Sequence, residues 1–189
     1  MKAVLNVKSM KKLIDATKKF VSNIEGNKLM TFIKISVSDN QITAMALDGH
    51  KISLEKAECN NDETFECYIK PVLPVTKGCD ECEIELIDDY AYITAGDNRV
   101  GFKQPEGEFY KVDNYLDPKQ YDHFCICVNA TMLKQALESI KNPMSNGIVL
   151  RFKNPTAPIY IENAGSTITS QRIVFPLRCD SALERYNRN

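Results

Sequence analysis

The sequence has no long apolar run. None of its apolar stretches approaches the ~20 residues that a helix needs to cross a bilayer, although 43% of the 189 residues are hydrophobic. The N-terminal stretch alternates apolar and polar side chains and is too short for the apolar part of a signal peptide. We therefore expect a cytoplasmic protein with no membrane partner.

The signatures of common enzyme classes are also missing. The 8 glycines are scattered, and none forms the Gly-x-x-x-x-Gly-Lys phosphate loop. No Gly-x-Ser-x-Gly nucleophile elbow is present. The acidic pairs Asp80-Glu81 and Asp88-Asp89 fall in predicted turns, where solvated side chains are the simpler interpretation. We expect a non-catalytic protein; an unrelated α+β hydrolase is the weakest alternative, because no motif supports it.

Histidine is scarce, with 2 residues against 7 cysteines. Cys79 and Cys82 have the spacing of metal ligands, but a structural zinc site needs about four ligands, and neither histidine lies near them. Cys125 and Cys127 share one face of a predicted strand, which favours free core thiols over a disulfide framework. We therefore expect no metal and no other cofactor.

Positive charge is not in excess, because 24 basic residues face 25 acidic ones and the net charge is −1. Binding to nucleic acid would therefore need a local patch. The candidates are lysines that lie off the apolar faces of two predicted helices: Lys11, Lys12, Lys18, Lys19, Lys134 and Lys141. From the pattern alone, solvated helix faces are the simpler interpretation. No base-reading helix appears, so sequence-specific binding is not expected.

One pattern, a strand, a helix and three more strands, occurs three times with a period of about 60 residues. The first repeat begins with a strand at residues 3–7 and a helix at 9–23, for which Ser9 is the candidate N-cap. The apolar face of that helix has helical spacing: Met10, Leu13, Ile14, Thr17, Val21 and Ile24. Its remaining strands are expected at residues 30–37, 41–46 and 51–58.

The second repeat has no clear helix. Its first strand is expected at residues 64–69, and the helix slot at 70–78 contains Pro71 and Pro74. Pro74 is incompatible with a helix interior, so we expect only a short or distorted turn there. The other strands are expected at residues 83–87, 90–95 and 99–103.

The third repeat follows a polar connector at residues 105–122. It has an expected strand at 123–128 and a helix at 130–141. The apolar face of that helix is formed by Leu133, Ala136, Leu137 and Ile140. Three strands would complete it, at residues 147–152, 158–162 and 169–177.

Two segments far apart in the chain carry the most specific pattern. Residues 42–54 alternate apolar and polar side chains around an Asp48-Gly49 turn, which predicts a hairpin. Residues 172–178 predict a strand that ends on Pro176, which suits a strand end or a sheet edge. By periodicity alone, the other apolar residues of this strand are alternate core residues: Ile173, Phe175 and Leu177.

These two segments resemble the two walls of the peptide-binding pocket in the bacterial DNA polymerase III beta sliding clamp family, here in a shortened, phage-like or mobile-element-like version. Residues 10–17 resemble the first helix of the middle clamp domain, 107–110 the exit from that domain, and 127–178 the second half of the last domain. Lys51 stands where arginine is usual, and Tyr110 where proline is usual.

The resemblance implies the sliding-clamp fold, an α+β architecture of repeated β-α-β-β-β units with antiparallel sheets outside and helices on the inner face. Residues 1–117 would form a complete clamp-like domain of two repeats. Residues 118–178 would form a half domain, the third repeat, and residues 179–189 a polar tail.

It also implies a function in DNA replication. The chain would be a sliding clamp, or processivity factor, that encircles duplex DNA without sequence preference and tethers a polymerase. Its partners would be duplex DNA, the polymerase and other proteins with clamp-binding peptide motifs, and further copies of itself in a dimer or tetramer. Such a dimer would pair the third repeats of two chains about a twofold axis, because the third repeat is without the second repeat that completes a clamp domain. The alternative is a clamp-derived adaptor or decoy that forms no ring but binds the same peptides.

The resemblance assigns residues to two sites. The DNA site would be formed by the six helix lysines named above. The peptide pocket would be formed by residues of the hairpin, the connector and the third repeat: Leu47, Gly49, His50, Lys51, Ile52, Asn114, Tyr115, Thr156, Pro158, Ile173, Phe175, Pro176 and Leu177. We interpret His50 as a hairpin residue that makes a local hydrogen bond, so no residue is expected to be catalytic.

Overall fold

The computed structural model describes residues 1–24, 26, 28–116, 125–140, 147–163 and 171–177. The chain divides into two compact units, unit 1 (Met1–Tyr110) and unit 2 (Lys111–Asn189). Because these units are defined by compactness, the predicted domain division after residue 117 stays a prediction. The predicted tail at 179–189 lies outside the described residues.

Unit 1 is built mainly of β-strands. Its α-helix is α1 (Val7–Thr17), and 3-10 turns cover Lys18–Phe20 and Lys28–Thr31. Its strands are β1 (Lys2–Asn6), β2 (Ile33–Ser38), β3 (Gln41–Leu47), β4 (Ile52–Glu58), β5 (Asn60–Asn61), β6 (Phe65–Ile69), β7 (Glu81–Ile87), β8 (Tyr90–Ala95) and β9 (Asn98–Lys103).

The strands form two antiparallel sheets, with orders β4-β3-β2-β6 and β5-β1-β7-β8-β9. The first strand of each repeat therefore lies in the sheet of the other repeat. The two exchanged pairs have equivalent registers, because Leu5 lies opposite Cys82 just as Ile69 lies opposite Ile33. We call this arrangement the strand exchange. It relates the two repeats by an approximate twofold operation.

Both sheets and α1 share one core. Alternate residues of the strands are fully buried, among them Ala3, Ile35, Ile84 and Ile93, each at 0% exposure. Helix α1 packs chiefly on β3 and β4 and adds its apolar face to the core through Met10, Leu13 and Ile14. Burial of each large aliphatic side chain contributes roughly 1.5–3 kcal/mol, so this shared core is the main source of stability.

Helix α1 begins and ends earlier than the sequence predicts. Its N-cap is Asn6, whose side-chain oxygen accepts a hydrogen bond from the Lys8 amide at 2.8 Å, so the prediction of Ser9 is wrong. The last residue is Thr17, whose hydroxyl donates to the carbonyl four residues earlier at 2.7 Å. Because the chain then leaves the helix, Ile24 is 68% exposed and does not join the apolar face.

The second repeat has no helix between its first two strands. Residues 70–80 are turns and irregular chain, as Pro71 and Pro74 predict. The strand predicted at 90–95 has the observed bounds, and the other predicted strands of unit 1 differ by at most 3 residues at either end. The short strand β5 was not predicted.

Unit 2 is a smaller assembly of the same kind. It contains α2 (Asp113–Leu116), α3 (Ala130–Ser139), β10 (Ile148–Arg151), β11 (Ile159–Asn163) and β12 (Gln171–Val174). The strands form one antiparallel sheet in the order β10-β11-β12. An isolated bridge joins Val128 to Pro176, and Asn129 caps α3 by accepting from two backbone amides. None of the described helices has the length and apolar character of a membrane span.

The first strand predicted for the third repeat is only partly described, because residues 123–124 lie outside the described residues. Ile126 and Val128 pack against the core of unit 2, whereas Cys125 and Cys127 are partly exposed free thiols. The prediction that these cysteines are core residues is therefore wrong. Alternation places only one face of this segment inward, and the larger aliphatic side chains occupy it.

Replacing Ile35 by alanine should destabilise unit 1 by about 2–5 kcal/mol, because the side chain is fully buried and its removal leaves a cavity. Chemical denaturation followed by circular dichroism measures the change. The matched control is Ile87→Ala, since Ile87 is 46% exposed and should change stability by about 0.5 kcal/mol or less. Equal effects of the two substitutions would contradict the core described above.

Candidate functional sites

One face of α1 carries most of the positive charge of that helix. Lys11 and Lys12 are exposed, as are Lys18 and Lys19 in the following 3-10 turn. The residues that are buried on α1 lie on the opposite side, against β3 and β4. Lys8 is also exposed and lies one turn before Lys12. It is a further candidate, which sequence reasoning missed because the helix was predicted to begin after it.

The lysines differ in their ion pairs. Lys18 Nζ lies 2.5 Å from Asp15 Oδ1, and Lys134 Nζ lies 3.9 Å from Glu138 Oε1. Among the described residues, no ion pair involves Lys8, Lys11, Lys12 or Lys19. Exposed pairs are weak, but they lower the charge that a helix presents to a phosphate. Lys141 lies outside the described residues.

The predicted hairpin at residues 42–54 is formed by β3 and β4. The turn depends on Gly49, whose φ of +92° favours glycine. Asp48 Oδ1 accepts hydrogen bonds from the amides of His50 and Lys51 at 3.0 and 3.1 Å. His50 is exposed, and its amide makes the local hydrogen bond that we expected from the sequence.

Side chains at and beside the hairpin tip make contacts with other residues of unit 1. Lys51 Nζ donates to the carbonyl oxygen of Lys19 at 2.5 Å and lies 5.2 Å from the centre of the Phe20 ring. Leu47 is buried at 4% exposure, whereas Ile52 is half-buried. These contacts fix the hairpin against the turn that follows α1. Of the hairpin candidates, Gly49, His50 and Lys51 are exposed, whereas Ile52 and Leu47 present less surface.

Charge also stabilises the hairpin turn. The amide of His50, and then the amide and ammonium of Lys51, favour the ionised form and hold the pKa of Asp48 below its ordinary 3.8. A depressed folded pKa means that the ionised carboxylate stabilises the turn above pH 3.8. That contribution is lost as the pH falls through the lower folded value.

The strand β12 and its continuation present a row of large apolar side chains to solvent. Ile173, Phe175 and Leu177 are 57%, 70% and 46% exposed, while Val174 between them is buried at 4%. The interpretation of these three residues as core is therefore wrong. We call them the apolar row. Their exposure in one line is a feature of surfaces that bind a partner.

The loop between β10 and β11 lies at the same end of the sheet. Ile159 lies opposite Val174, so extending the register by one residue places Pro158 beside Phe175. Asn154 Oδ1 accepts from the amide and the hydroxyl of Thr156 at 3.1 and 3.0 Å, which orders the loop. The pocket candidates of the third repeat therefore lie near one another, where β11 begins and β12 ends. They are Thr156, Pro158, Ile173, Phe175, Pro176 and Leu177.

Pro176 lies within the apolar row and forms the bridge to Val128. The other candidates have separate settings. Asn114 and Tyr115 lie in α2, and Tyr115 is 66% exposed. The hairpin belongs to unit 1, and the other candidates belong to unit 2. That all of them form one pocket stays a prediction.

The Cys79 and Cys82 pair sits in unlike surroundings. Cys82 is buried in the core of unit 1, with Sγ 3.6 Å from the carbonyl oxygen of Leu5. Burial raises the pKa of Cys82 to about 11, so the thiol is protonated at neutral pH. Cys79 is partly buried, and its Sγ lies 3.9 Å from the carbonyl oxygen of Lys77. Cys82 therefore serves as a packing residue.

Comparison with solved structures identifies the architecture. A DNA polymerase III beta chain from Streptococcus pneumoniae TIGR4 is 19% identical with a TM-score of 0.74, over 92% of this chain and 48% of that chain. The DNA polymerase sliding clamp from Bacillus subtilis is 16% identical with a TM-score of 0.78, over 93% and 49%. The sliding clamp from Pseudomonas aeruginosa is 15% identical with a TM-score of 0.77, over 93% and 51%.

The chain therefore has the α+β fold of bacterial DNA polymerase III beta sliding clamps, as the sequence resemblance implied. It spans about half the length of these solved structures. No protein-family model and no curated protein sequence matches it. At this level of identity the likeness is one of fold, and the activity has to be argued from the chain's own surface.

Replacing Asp48 by alanine should speed the hydrogen exchange of the His50 and Lys51 amides, because both lose the acceptor Oδ1. Asp48→Asn is the matched control, since the amide oxygen can still accept and exchange should change less. An NMR titration should place the Asp48 midpoint below 3.8. A midpoint at or above that value would contradict the hydrogen-bonded turn.

Proposed function

We propose that this chain is a clamp-type tether, which holds a polymerase on duplex DNA without itself catalysing a reaction. The clamp fold supports the class of function, and the solved structures of that fold are described as DNA polymerase sliding clamps. The observation that carries the proposal is the unopposed lysine face of α1. A cytoplasmic location stays a prediction.

The lysine face fits a nonspecific contact with DNA. Lys8, Lys11, Lys12 and Lys19 have no carboxylate partner among the described residues, so their charges are available to phosphate oxygens. The helix packs on its sheet through the opposite face, so the lysines do not contribute to the core. Contacts of this kind position a duplex without reading its sequence, and they weaken as salt is added.

The apolar row supports the second half of the proposal, which is the binding of a short peptide from a polymerase or another replication protein. Large apolar side chains that stay exposed together mark interaction sites in folded proteins. Pro158 beside Phe175 and the ordered Asn154–Ala157 loop border the row within unit 2. We propose that the peptide lays its own apolar side chains on this row.

An adaptor or decoy that binds peptides without encircling DNA is the alternative. The two functions differ in topology, because a ring slides off the ends of a linear duplex but stays on a closed circle. Retention on nicked circular DNA at high salt, and its loss when the circle is cut, would support the tether. Equal, weak retention on both forms would favour the adaptor.

Replacing Lys11, Lys12 and Lys19 by alanine should weaken DNA binding for all sequences alike. The slope of log K against log salt should become shallower by about 0.9 for each phosphate that the variant no longer neutralises. Fluorescence anisotropy of a labelled duplex over a range of salt concentrations gives the slope.

The matched control removes three exposed lysines of unit 1 that lie off α1, namely Lys56, Lys77 and Lys103. The control removes the same net charge, so it separates a specific lysine face from the overall charge of the chain. An unchanged slope in the α1 variant, or an equal change in the control, would show that these lysines are ordinary surface residues.

Replacing Phe175 by alanine should weaken binding of a polymerase-derived peptide by about 1–3 kcal/mol, because the peptide would bury less apolar surface. Isothermal titration calorimetry with the peptide measures the change in affinity. The control is Met132→Ala, which truncates an apolar side chain that is 58% exposed on α3. Unaltered affinity in folded Phe175→Ala protein would refute the proposed peptide site.

A further inference from the structure

The third repeat has two strand edges that carry no strand among the described residues. In unit 1, β1 lies between β5 and β7, and β2 lies between β3 and β6. In unit 2, the segment at residues 125–128 pairs with residues 176–177, and β10 is the outer strand of its sheet. The two strand pairings that join repeats 1 and 2 therefore have no counterpart in the third repeat among the described residues.

The N-terminal parts of repeats 1 and 3 match residue by residue. Asn6 caps α1 and Asn129 caps α3 through the same side-chain oxygen. Aligning the caps places Val128 at the position of Leu5 and Ile126 at the position of Ala3. The apolar helix residues then coincide as well: Leu133 with Met10, Ala136 with Leu13, and Leu137 with Ile14.

The C-terminal strands extend the match to β10. Val128 pairs with Pro176, as the β1–β5 register places Leu5 next to Cys59. Following the register through the sheets, Val174 corresponds to Ala57 and Ile161 to Ala44. Leu150, which lies opposite Ile161, therefore takes the place of Ile35, and Ile148 takes the place of Ile33.

Equivalent residues differ sharply in burial. Ile35 is at 0% exposure, whereas its counterpart Leu150 is at 41%. Met10 and Ile14 are buried at 1% and 4%, whereas Leu133 and Leu137 are only partly buried. The third repeat thus has the inward-facing apolar residues of repeat 1. In unit 1 the residues of repeat 2 pack over them, whereas in unit 2 the described residues leave them partly exposed.

We propose that a second copy of this chain supplies that cover by a reciprocal strand exchange between the two third repeats. The segment at residues 125–128 of each copy pairs with β10 of the other copy about a twofold axis. Ile126 then lies opposite Leu150, as Ala3 lies opposite Ile84, and Val128 lies opposite Ile148, as Leu5 lies opposite Cys82. Both open edges of each copy are closed in one step.

A second copy fits because one edge of the third repeat, residues 125–128, is complementary to its other edge, β10. Each edge of one copy can therefore pair with the opposite edge of the other. Both edges present apolar residues inward, in the register that the strand exchange of unit 1 uses. On the outer face, the pairing sets Cys127 opposite Val149 and Cys125 opposite Arg151, so no like charges meet. In a twofold dimer, each copy supplies a hydrogen-bonded strand to both edges of the other. An unrelated partner would need to supply two separate strands, one for each edge.

The first test is the mass of the full chain in solution. Light scattering at tens of micromolar should give twice the 21.4 kDa chain mass. Leu150→Glu should shift the mass to that of a single chain, because a carboxylate would enter the paired core. The matched control is Ile173→Glu, which adds the same charge on the exposed face of β12 and should leave the mass doubled. A single-chain mass for the unmodified protein would overturn the proposal.

The second test measures the register and does not depend on the Leu150 variant folding. Val149→Cys should form a disulfide with Cys127 of the other copy when oxidised with diamide, and give a doubled band on a non-reducing gel. Within one chain these residues lie at opposite edges of the sheet, three strand spacings or about 14 Å apart, which is too far for a disulfide.

Two controls fix the identity of the cross-link. Val149→Cys combined with Cys127→Ser should give no doubled band, and neither should Leu150→Cys, which faces the other side of the strand. A dimer in which Val149→Cys fails to cross-link would overturn the strand exchange. Mass and cross-linking are measured without DNA or peptide, so their outcome is separate from the test of the tethering function.

Discussion

The exchange of first strands is the constraint on which the rest of unit 1 depends. Because β1 pairs with β7 and β6 pairs with β2, neither repeat completes its own sheet. Withdrawing β1 would expose Ala3 and Leu5 and would also leave one edge of β7 without hydrogen-bond partners. Two repeats therefore form a single cooperative structure. The position of α1, and with it the lysine face, follows from that shared core.

Much of the fold was predictable, because alternating burial and turn residues define strands directly. The turn at Asp39 and Asn40, both with positive φ, separates β2 from β3 where the apolar alternation breaks. The strand exchange was not predictable, since alternation shows which face of a strand is buried and not which neighbour it pairs with. The N-cap was missed because Asn6 and Ser9 are both good caps and the apolar spacing is compatible with either.

The site was predictable to the extent that it depends on local sequence. The Asp48-Gly49 hairpin follows from its turn residues, and the helix lysines follow from their position off the apolar face. The error at the N-cap carried over to the site, because it excluded Lys8 from the helix. The exposure of the apolar row could not be read from periodicity, since both faces of residues 172–177 carry apolar side chains. Only the packing of one sheet face against α3 decides that Val174 is the buried one.

Two strand edges of unit 2 carry no strand among the described residues, and their side chains limit what can pair with them. The bridge to Pro176 within the same chain fixes Val128 on the inner face. A pairing one residue out of register would therefore set Val128 opposite Val149, which lies on the outer face of β10. The same slip would set Leu150 opposite Cys127, so the inward-facing pattern penalises every odd register. Unpaired edges usually invite unspecific association. Here the burial pattern inherited from the repeat makes one pairing more stable than its neighbours, and that selectivity is what an assembly of defined size requires.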